Sequence, residues 1–161
     1  MNELEKEFEE AIAKYNGIIT KVCYYFSAHS DEFKDMRQEV LYNIWKGWEG
    51  FRNNSKLSTW IYRICFNTCV SFQRKHIPTK AALPIEEVVD LGEYPEMSMK
   101  EKYDMMHKMI SRLNFEDRAI ILLWLDEKTY EEIAELTGIN RNTIAVRIKR
   151  IKEKLIKMSD L

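Results

Sequence analysis

Glycine and proline are scarce in this chain, with five Gly and three Pro in 161 residues. Few chain breakers, together with long stretches of helical periodicity, exclude a strand-and-turn architecture and give an all-α reading. The three cysteines, Cys23, Cys65 and Cys69, are odd in number and contain no CxxC, which leaves no disulfide framework. Cys65 and Cys69 stand four apart on one helix face, a spacing that suits two metal ligands. No His pair lies near them in sequence, so small buried thiols are the simpler reading. His29, His76 and His107 are scattered. No Walker loop, metal set or nucleophile constellation appears, so no cofactor, metal or enzymatic activity is expected. No stretch approaches the roughly 20 apolar residues of a membrane span. The first ten residues, MNELEKEFEE, are acidic and lack the apolar stretch of a signal peptide. A cytoplasmic location without membrane insertion is the expectation.

An excess of one charge sign is also missing, because the net charge is −1. Its distribution is uneven. Residues 1–80 hold twelve bases and ten acids, residues 81–110 three bases and seven acids, and residues 111–161 ten bases and nine acids. The bases of the last segment gather at its end, so a basic surface is diluted by acidic segments elsewhere.

What is present is most concentrated in Thr129–Leu155, TYEEIAELTGINRNTIAVRIKRIKEKL. Thr129 and Glu132 form a T-x-x-E capping box for one helix. Gly138 stands where that helix must stop, and glycine tolerates the left-handed conformation a helix end needs. Asn140 is a good N-cap for the next helix. There Ile144, Ile148, Ile151 and Leu155 recur at spacings of four, three and four as one apolar stripe. On a helical wheel Asn142, Thr143, Val146, Arg147 and Arg150 point away from it. Seven Lys/Arg against the single acid Glu153 lie between Asn140 and Lys157. Two helices, a tight turn and a cationic outer face fit a helix-turn-helix with its recognition helix in the DNA major groove, where Arg and Asn make bidentate base contacts.

All three prolines, Pro78, Pro84 and Pro95, fall between residues 77 and 96, so 77–97 reads as an acidic Pro-containing linker between two small helical domains, 1–76 and 98–161. The first domain shows three helical patterns. Leu4, Phe8, Ile12, Tyr15, Ile19, Val22 and Phe26 form one stripe. A second helix starts near Asp31 and carries Phe33, Met36, Val40, Ile44 and Trp48 inward, with Asp31, Glu32, Asp35 and Glu39 at its positive end. A third runs from about Ser58 to Lys75. It places Ile61, Cys65, Thr68 and Phe72 on an apolar face and Arg63, Asn67 and Arg74 on a polar one. The loop before it, Arg52-Asn53-Asn54-Ser55-Lys56, is built of turn formers. With Phe51, Trp60, Tyr62 and Phe66 as stacking surfaces, this region suits single-stranded DNA, although Trp60 reads more readily as core. In the second domain Met99, Tyr103, Met106, Ile110 and Leu113 form a stripe, Asn114 with Asp117 can cap a helix, and AIILLWL from Ala119 to Leu125 should be the buried centre.

These segments resemble the extracytoplasmic-function (ECF) group of bacterial sigma factors. The resemblance is carried by Asp35, Gln38, Glu39, Val40, Leu41 and Trp45, by Trp60 to Asn67, and by the terminal helix-turn-helix, and it covers nearly the whole chain in order. Cys65 stands where the family usually has a small Ala, and Lys149 and Ile151 vary from its commoner final helix. The resemblance implies a promoter-specificity subunit whose partners are core RNA polymerase, promoter DNA and an inhibitory anti-sigma factor. It implies that Asp35, Gln38, Glu39 and Trp45 bind core polymerase. Arg52, Asn53, Asn54, Lys56, Arg63, Asn67 and Arg74 would capture the −10 element, and Arg141, Asn142, Thr143, Val146, Arg147 and Arg150 would read the −35 element. The residues of the helix-turn-helix alone also fit a transcriptional regulator that never joins polymerase.

Overall fold

In the computed structural model, residues 1–76 and 99–159 are described, and the expected linker over 77–97 lies outside them. Seven helices and no strand occur among the described residues: α1 Glu3–Phe26, α2 Ser30–Trp48, α3 Leu57–His76, α4 Met99–Ser111, α5 Phe115–Leu125, α6 Tyr130–Thr137 and α7 Arg141–Ser159. The chain divides into two compact units, Met1–His76 and Ile77–Leu161.

In the first unit α1, α2 and α3 pack on one another. A capping box between Asn2 and Glu5 starts α1, and the stripe read from the sequence faces inward, with Ile19, Val22 and Phe26 fully buried. Phe8, nearer the open end, is half-buried and meets the rings of Trp45 and Trp48 edge-on at 4.9 and 5.8 Å. From α2 come Met36, Val40 and Ile44, and from α3 Ile61, Cys65, Thr68 and Phe72, all buried. Two buried polar groups on α3 fix the packing. The Thr68 hydroxyl accepts from the Asn43 amide at 3.0 Å. Gln73 donates to the Phe26 carbonyl and, at 2.6 Å, to the Glu32 carboxylate. Gln73 thus satisfies an orphan carbonyl at the end of α1 and ties it to the start of α2. His29 caps α2, its Nδ1 accepting from the Glu32 N–H at 3.3 Å.

Cys23, Cys65 and Cys69 are buried free thiols. Cys69 is held well up by its hydrogen bond with Cys23 and by burial, and burial pushes Cys65 up as well. The Cys23–Cys69 hydrogen bond draws Cys23 the other way, below the ordinary thiol value, and all three side chains pack in the apolar core as small groups. Among the described residues no three His, Cys, Asp or Glu side chains group as a metal site.

The second unit is centred on α5. Asn114 caps it, Oδ1 accepting from the Asp117 N–H at 2.8 Å, and Ala119 through Leu123 are buried. The apolar run ends early, since Trp124 is half-buried and Leu125 exposed. Likewise the α4 stripe is only partly inward. Ile110 and Leu113 are buried, but Met99 and Tyr103 at its start are exposed. Helical periodicity marks a face, and the reach of the neighbouring helix decides how much of it is covered. Among the described residues, no helix is long and apolar enough to cross a membrane.

Candidate nucleic-acid interface

The helix-turn-helix is built from local rules that the structure satisfies one by one. Thr129 Oγ1 accepts from the Glu132 N–H and the Glu132 carboxylate accepts from the Thr129 N–H, both at 3.1 Å. α6 ends at Gly138, whose φ of 75° is left-handed and whose N–H donates to the Ala134 carbonyl. Asn140 then opens α7, its Oδ1 accepting from the Asn142 N–H at 2.8 Å. An L side chain at position 138 would carry the left-handed penalty of about 1–2 kcal/mol. Gly138→Ala is therefore expected to lower the stability of this unit by about that amount. Thermal unfolding of the full chain followed by amide exchange in α6 and α7 checks it.

Ile144, Ile148 and Ile151 of α7 are buried, against α5 and α6. The opposite face is solvent-exposed and carries Asn142, Thr143, Val146, Lys149 and Arg150. Arg147 departs from the wheel reading. It lies on the flank, not the outer face, with its side chain 22% exposed. Its guanidinium reaches Glu116 at 3.0 Å and Asp117 at 3.1 Å, and the hydrogen bond to Glu116 pushes its pKa further up. Arg147 therefore clamps α7 to the first turn of α5. A wheel gives direction relative to one helix axis and cannot show a carboxylate pair approaching from a neighbour.

Arg141 is also engaged. Its Nε donates to Glu131, and its guanidinium lies over the Tyr130 ring, 5.6 Å from the centroid. The same hydrogen bond holds the Glu131 carboxyl below its usual range. Lys152 sits over the Trp124 ring at 3.9 Å. Lys149, which the sequence reading left out of the outer face, stands exposed beside Arg150. Its position, three residues after Val146, was the available signal.

In the first unit the loop and the polar face of α3 adjoin. Arg52, Asn53, Asn54 and Lys56 are exposed. Asn53 adopts φ 57°, a left-handed conformation that Asn tolerates better than most residues. The Arg52 guanidinium donates to the Glu49 carbonyl at 3.2 Å, and the Lys56 carbonyl accepts from the Trp60 N–H, closing the first turn of α3. Asn67 and Arg74 are exposed and Arg63 is half-buried. The spacings 63, 67 and 74 put them on one stripe about 17 Å long, with the loop at its N-terminal end. Of the aromatic platform expected beside them, Tyr62 and Phe66 are withdrawn into the core, while Phe51 and Trp60 stay half-buried. Tyr62 and Phe66 are buried and stacked on each other at 5.9 Å. Trp60 packs between Phe51 and Trp48, at 4.9 and 6.1 Å, over Gly47, where even a Cβ would come within 3.0 Å of the indole. Tyr62 and Phe66 complete the three-helix core, which wins over exposure as a stacking surface. Half-buried Phe51 is left at the margin.

A third surface lies on α2. Asp35, Gln38, Tyr42 and Trp45 follow one another at spacings of three, four and three and are exposed, with Glu39 half-buried beside them. Tyr42, 59% exposed, was not singled out from the sequence, although it lies one turn from both Gln38 and Trp45.

Two family models match these two units: Sigma-70 region 2 over residues 11–77 and Sigma-70 region 4 over residues 103–155. The chain belongs to the sigma-70 family, in its ECF group. It is similar to the ECF RNA polymerase sigma factor SigW of Bacillus subtilis, at 27% identity over 93% of this chain and 87% of that one. Two solved structures share the fold. One is the sigma factor RpoE in complex with the anti-sigma factor NepR from Bartonella quintana, with TM-score 0.72, 22% identity, and coverage of 97% of this chain and 98% of that one. The other is CnrH in complex with the cytosolic domain of CnrY, with TM-score 0.71, 16% identity, and coverage of 97% and 89%. The region 2 match falls on α1–α3, and the region 4 match falls on α4–α7 with the helix-turn-helix.

Proposed function

We propose that this sigma factor is the promoter-specificity subunit of a bacterial RNA polymerase, gripping a promoter at two points. The observation that carries the reading is the pairing in one chain of a region 2 unit with a region 4 unit. A helix-turn-helix regulator acting alone needs only the second. The exposed stripe of α2, Asp35, Gln38, Glu39, Tyr42 and Trp45, docks on core polymerase. The outer face of α7, through Asn142, Thr143, Val146 and Arg150, reads the −35 element in the major groove, where each base pair has its own edge pattern. Lys149 and Arg141 meet phosphates, while Arg147 holds the reading helix in place. Arg52, Asn53, Asn54, Lys56, Arg63, Asn67 and Arg74 hold the opened −10 strand.

Opening the duplex costs a few kcal/mol per unstacked base. Binding of the exposed strand offsets that cost, and the polymerase supplies the chemistry. With Tyr62 and Phe66 in the core, half-buried Phe51 and Trp60 are the rings left beside the amide and guanidinium contacts that hold the strand. The linker at 77–97 joins the two grips. Its acidic composition suits a basic channel of the polymerase. The protein works in the cytoplasm, and by analogy with RpoE, solved in complex with the anti-sigma factor NepR, an anti-sigma partner holds it when free.

Promoter-dependent run-off transcription with core polymerase tests the reading, and a complete lack of sigma-dependent initiation across a genomic promoter set would sink it. A finer test separates strand capture from duplex reading. Asn54→Ala with Asn67→Ala is expected to slow open-complex formation on intact duplex about tenfold, the worth of one or two lost base contacts. A template with a pre-melted −10 bubble should recover much of that loss. Equal rates on intact duplex would remove the −10 assignment.

A further inference from the structure

Of the exposed side chains in the first ten residues of α7, Arg141, Asn142, Thr143, Lys149 and Arg150 are polar and Val146 alone is apolar. It is 57% exposed and lies on the outer stripe with Asn142 one turn before it and Arg150 one turn after. Ile144 and Ile148 already fill the buried face, so Val146 adds nothing to the core. A β-branched residue is also a mediocre helix former. An apolar, exposed, β-branched side chain is a poor choice for a solvated helix surface and a good one for a surface that becomes dry.

The major groove has one apolar feature, the C5-methyl of thymine. Val146 has neither donor nor acceptor, so a base pair beneath it is read by methyl contact alone. From this geometry we infer that Val146 is a specificity-determining residue of the −35 contact and selects a thymine methyl. The inference rests on α7 being the reading helix proposed above. Four residues of helix rise about 6 Å, close to two base-pair steps of about 3.4 Å. The thymine therefore lies between the pairs contacted by Asn142 and Arg150, flanked by polar readout on both sides. Closing the two side chains around the methyl removes both apolar surfaces from water, and one methyl-sized group so buried is worth about fourfold in affinity.

The test uses holoenzyme assembled from the full chain and core polymerase. A promoter library randomised in the upstream element is selected for binding and sequenced. Wild type is expected to enrich thymine at one position inside the element. Replacing that thymine by uracil, which removes only the methyl, should weaken binding about fourfold. Val146→Ala should weaken the thymine promoter by a similar factor and bind thymine and uracil promoters equally. Because Val146 is exposed and alanine favours helix, this variant keeps its fold, which thermal unfolding verifies. The inference is overturned if no thymine is enriched, or if Val146→Ala still distinguishes thymine from uracil. Asn142→Ala and Arg150→Ala separate the two levels. If they alter the selected sequence and Val146→Ala does not, the methyl contact alone is wrong. If all three leave the selected sequence unchanged, α7 is not the reading helix and both readings fall.

Discussion

Arg147→Ala is expected to destabilise the region 4 unit by about 3 kcal/mol, the low end of the cost of unpairing a buried carboxylate. The carboxylate at stake is Asp117, whose side chain is 9% exposed and 3.1 Å from the guanidinium. Glu116, 56% exposed, contributes little, because exposed pairs are screened and pay side-chain entropy. Removing Arg147 takes the ion-pair partner from the buried Asp117 side chain in the first turn of α5, with α7 no longer pinned to it. Promoter binding should then fall for every −35 sequence alike, because the whole reading helix is displaced. Arg150→Ala should do the opposite. Its side chain is solvent-exposed, so stability should be unchanged, and the loss, about 1–3 kcal/mol, should be confined to one base pair. Thermal unfolding of both full-length variants, set beside their selected promoter sequences, distinguishes the cases. An Arg147→Ala variant as stable as wild type but altered at one base pair would restore Arg147 to the reading face. A double-mutant cycle with Asp117→Asn measures the clamp directly.

Tyr42→Ala is expected to weaken the affinity for core polymerase by about 2 kcal/mol, roughly thirtyfold, as for an aromatic anchor at the centre of an interface. Tyr42 lies midway along the exposed α2 stripe, with Lys46 near its ring at 5.9 Å, and it makes little contribution to the core of its own unit. Trp45→Ala should cost at least as much in binding. It should also loosen the unit, because its ring packs on Phe8. Tyr42→Ala is therefore the cleaner measurement, since loss of affinity without loss of melting temperature isolates the interface. Charge reversal at Glu39 should act chiefly on the association rate and its salt dependence. Titration of labelled protein with core polymerase reads the first two, and stopped-flow association at several salt concentrations reads the third. Unchanged affinity in Tyr42→Ala would remove α2 from the docking surface.

Much of the architecture was legible because it is governed by local chemistry. The Thr129–Glu132 box, the left-handed Gly138 and the Asn140 cap each satisfy backbone groups within four residues, so the turn between α6 and α7 could be read directly. The buried faces of α1, α2 and α3 followed from their period. The misreadings all concern where a side chain goes once a second element arrives. Arg147 was assigned outward and is drawn to Glu116 and Asp117. Tyr62 and Phe66 were offered to DNA and are taken by the core. Met99 and Tyr103 belong to an apolar stripe that its neighbours do not fully cover. Tyr42 and Lys149 share helical spacing with Gln38 and Trp45 and with Val146, but only the structure shows that these faces stay uncovered.

The sequence by itself determined the order of the helices among the described residues and the helix-turn-helix, because capping, turn conformation and hydrophobic period are short-range properties written in neighbouring residues, while the family was legible through resemblance at Asp35–Trp45, Trp60–Asn67 and the terminal motif. Only the tertiary structure decided which cations and aromatics remain for a partner. That choice depends on carboxylates and cavities brought close from elsewhere in the chain, such as Asp117 beside Arg147 and Gly47 beneath Trp60. A guanidinium within reach of a buried carboxylate is held there, since leaving that charge unpaired costs more than a solvent-exposed position gains.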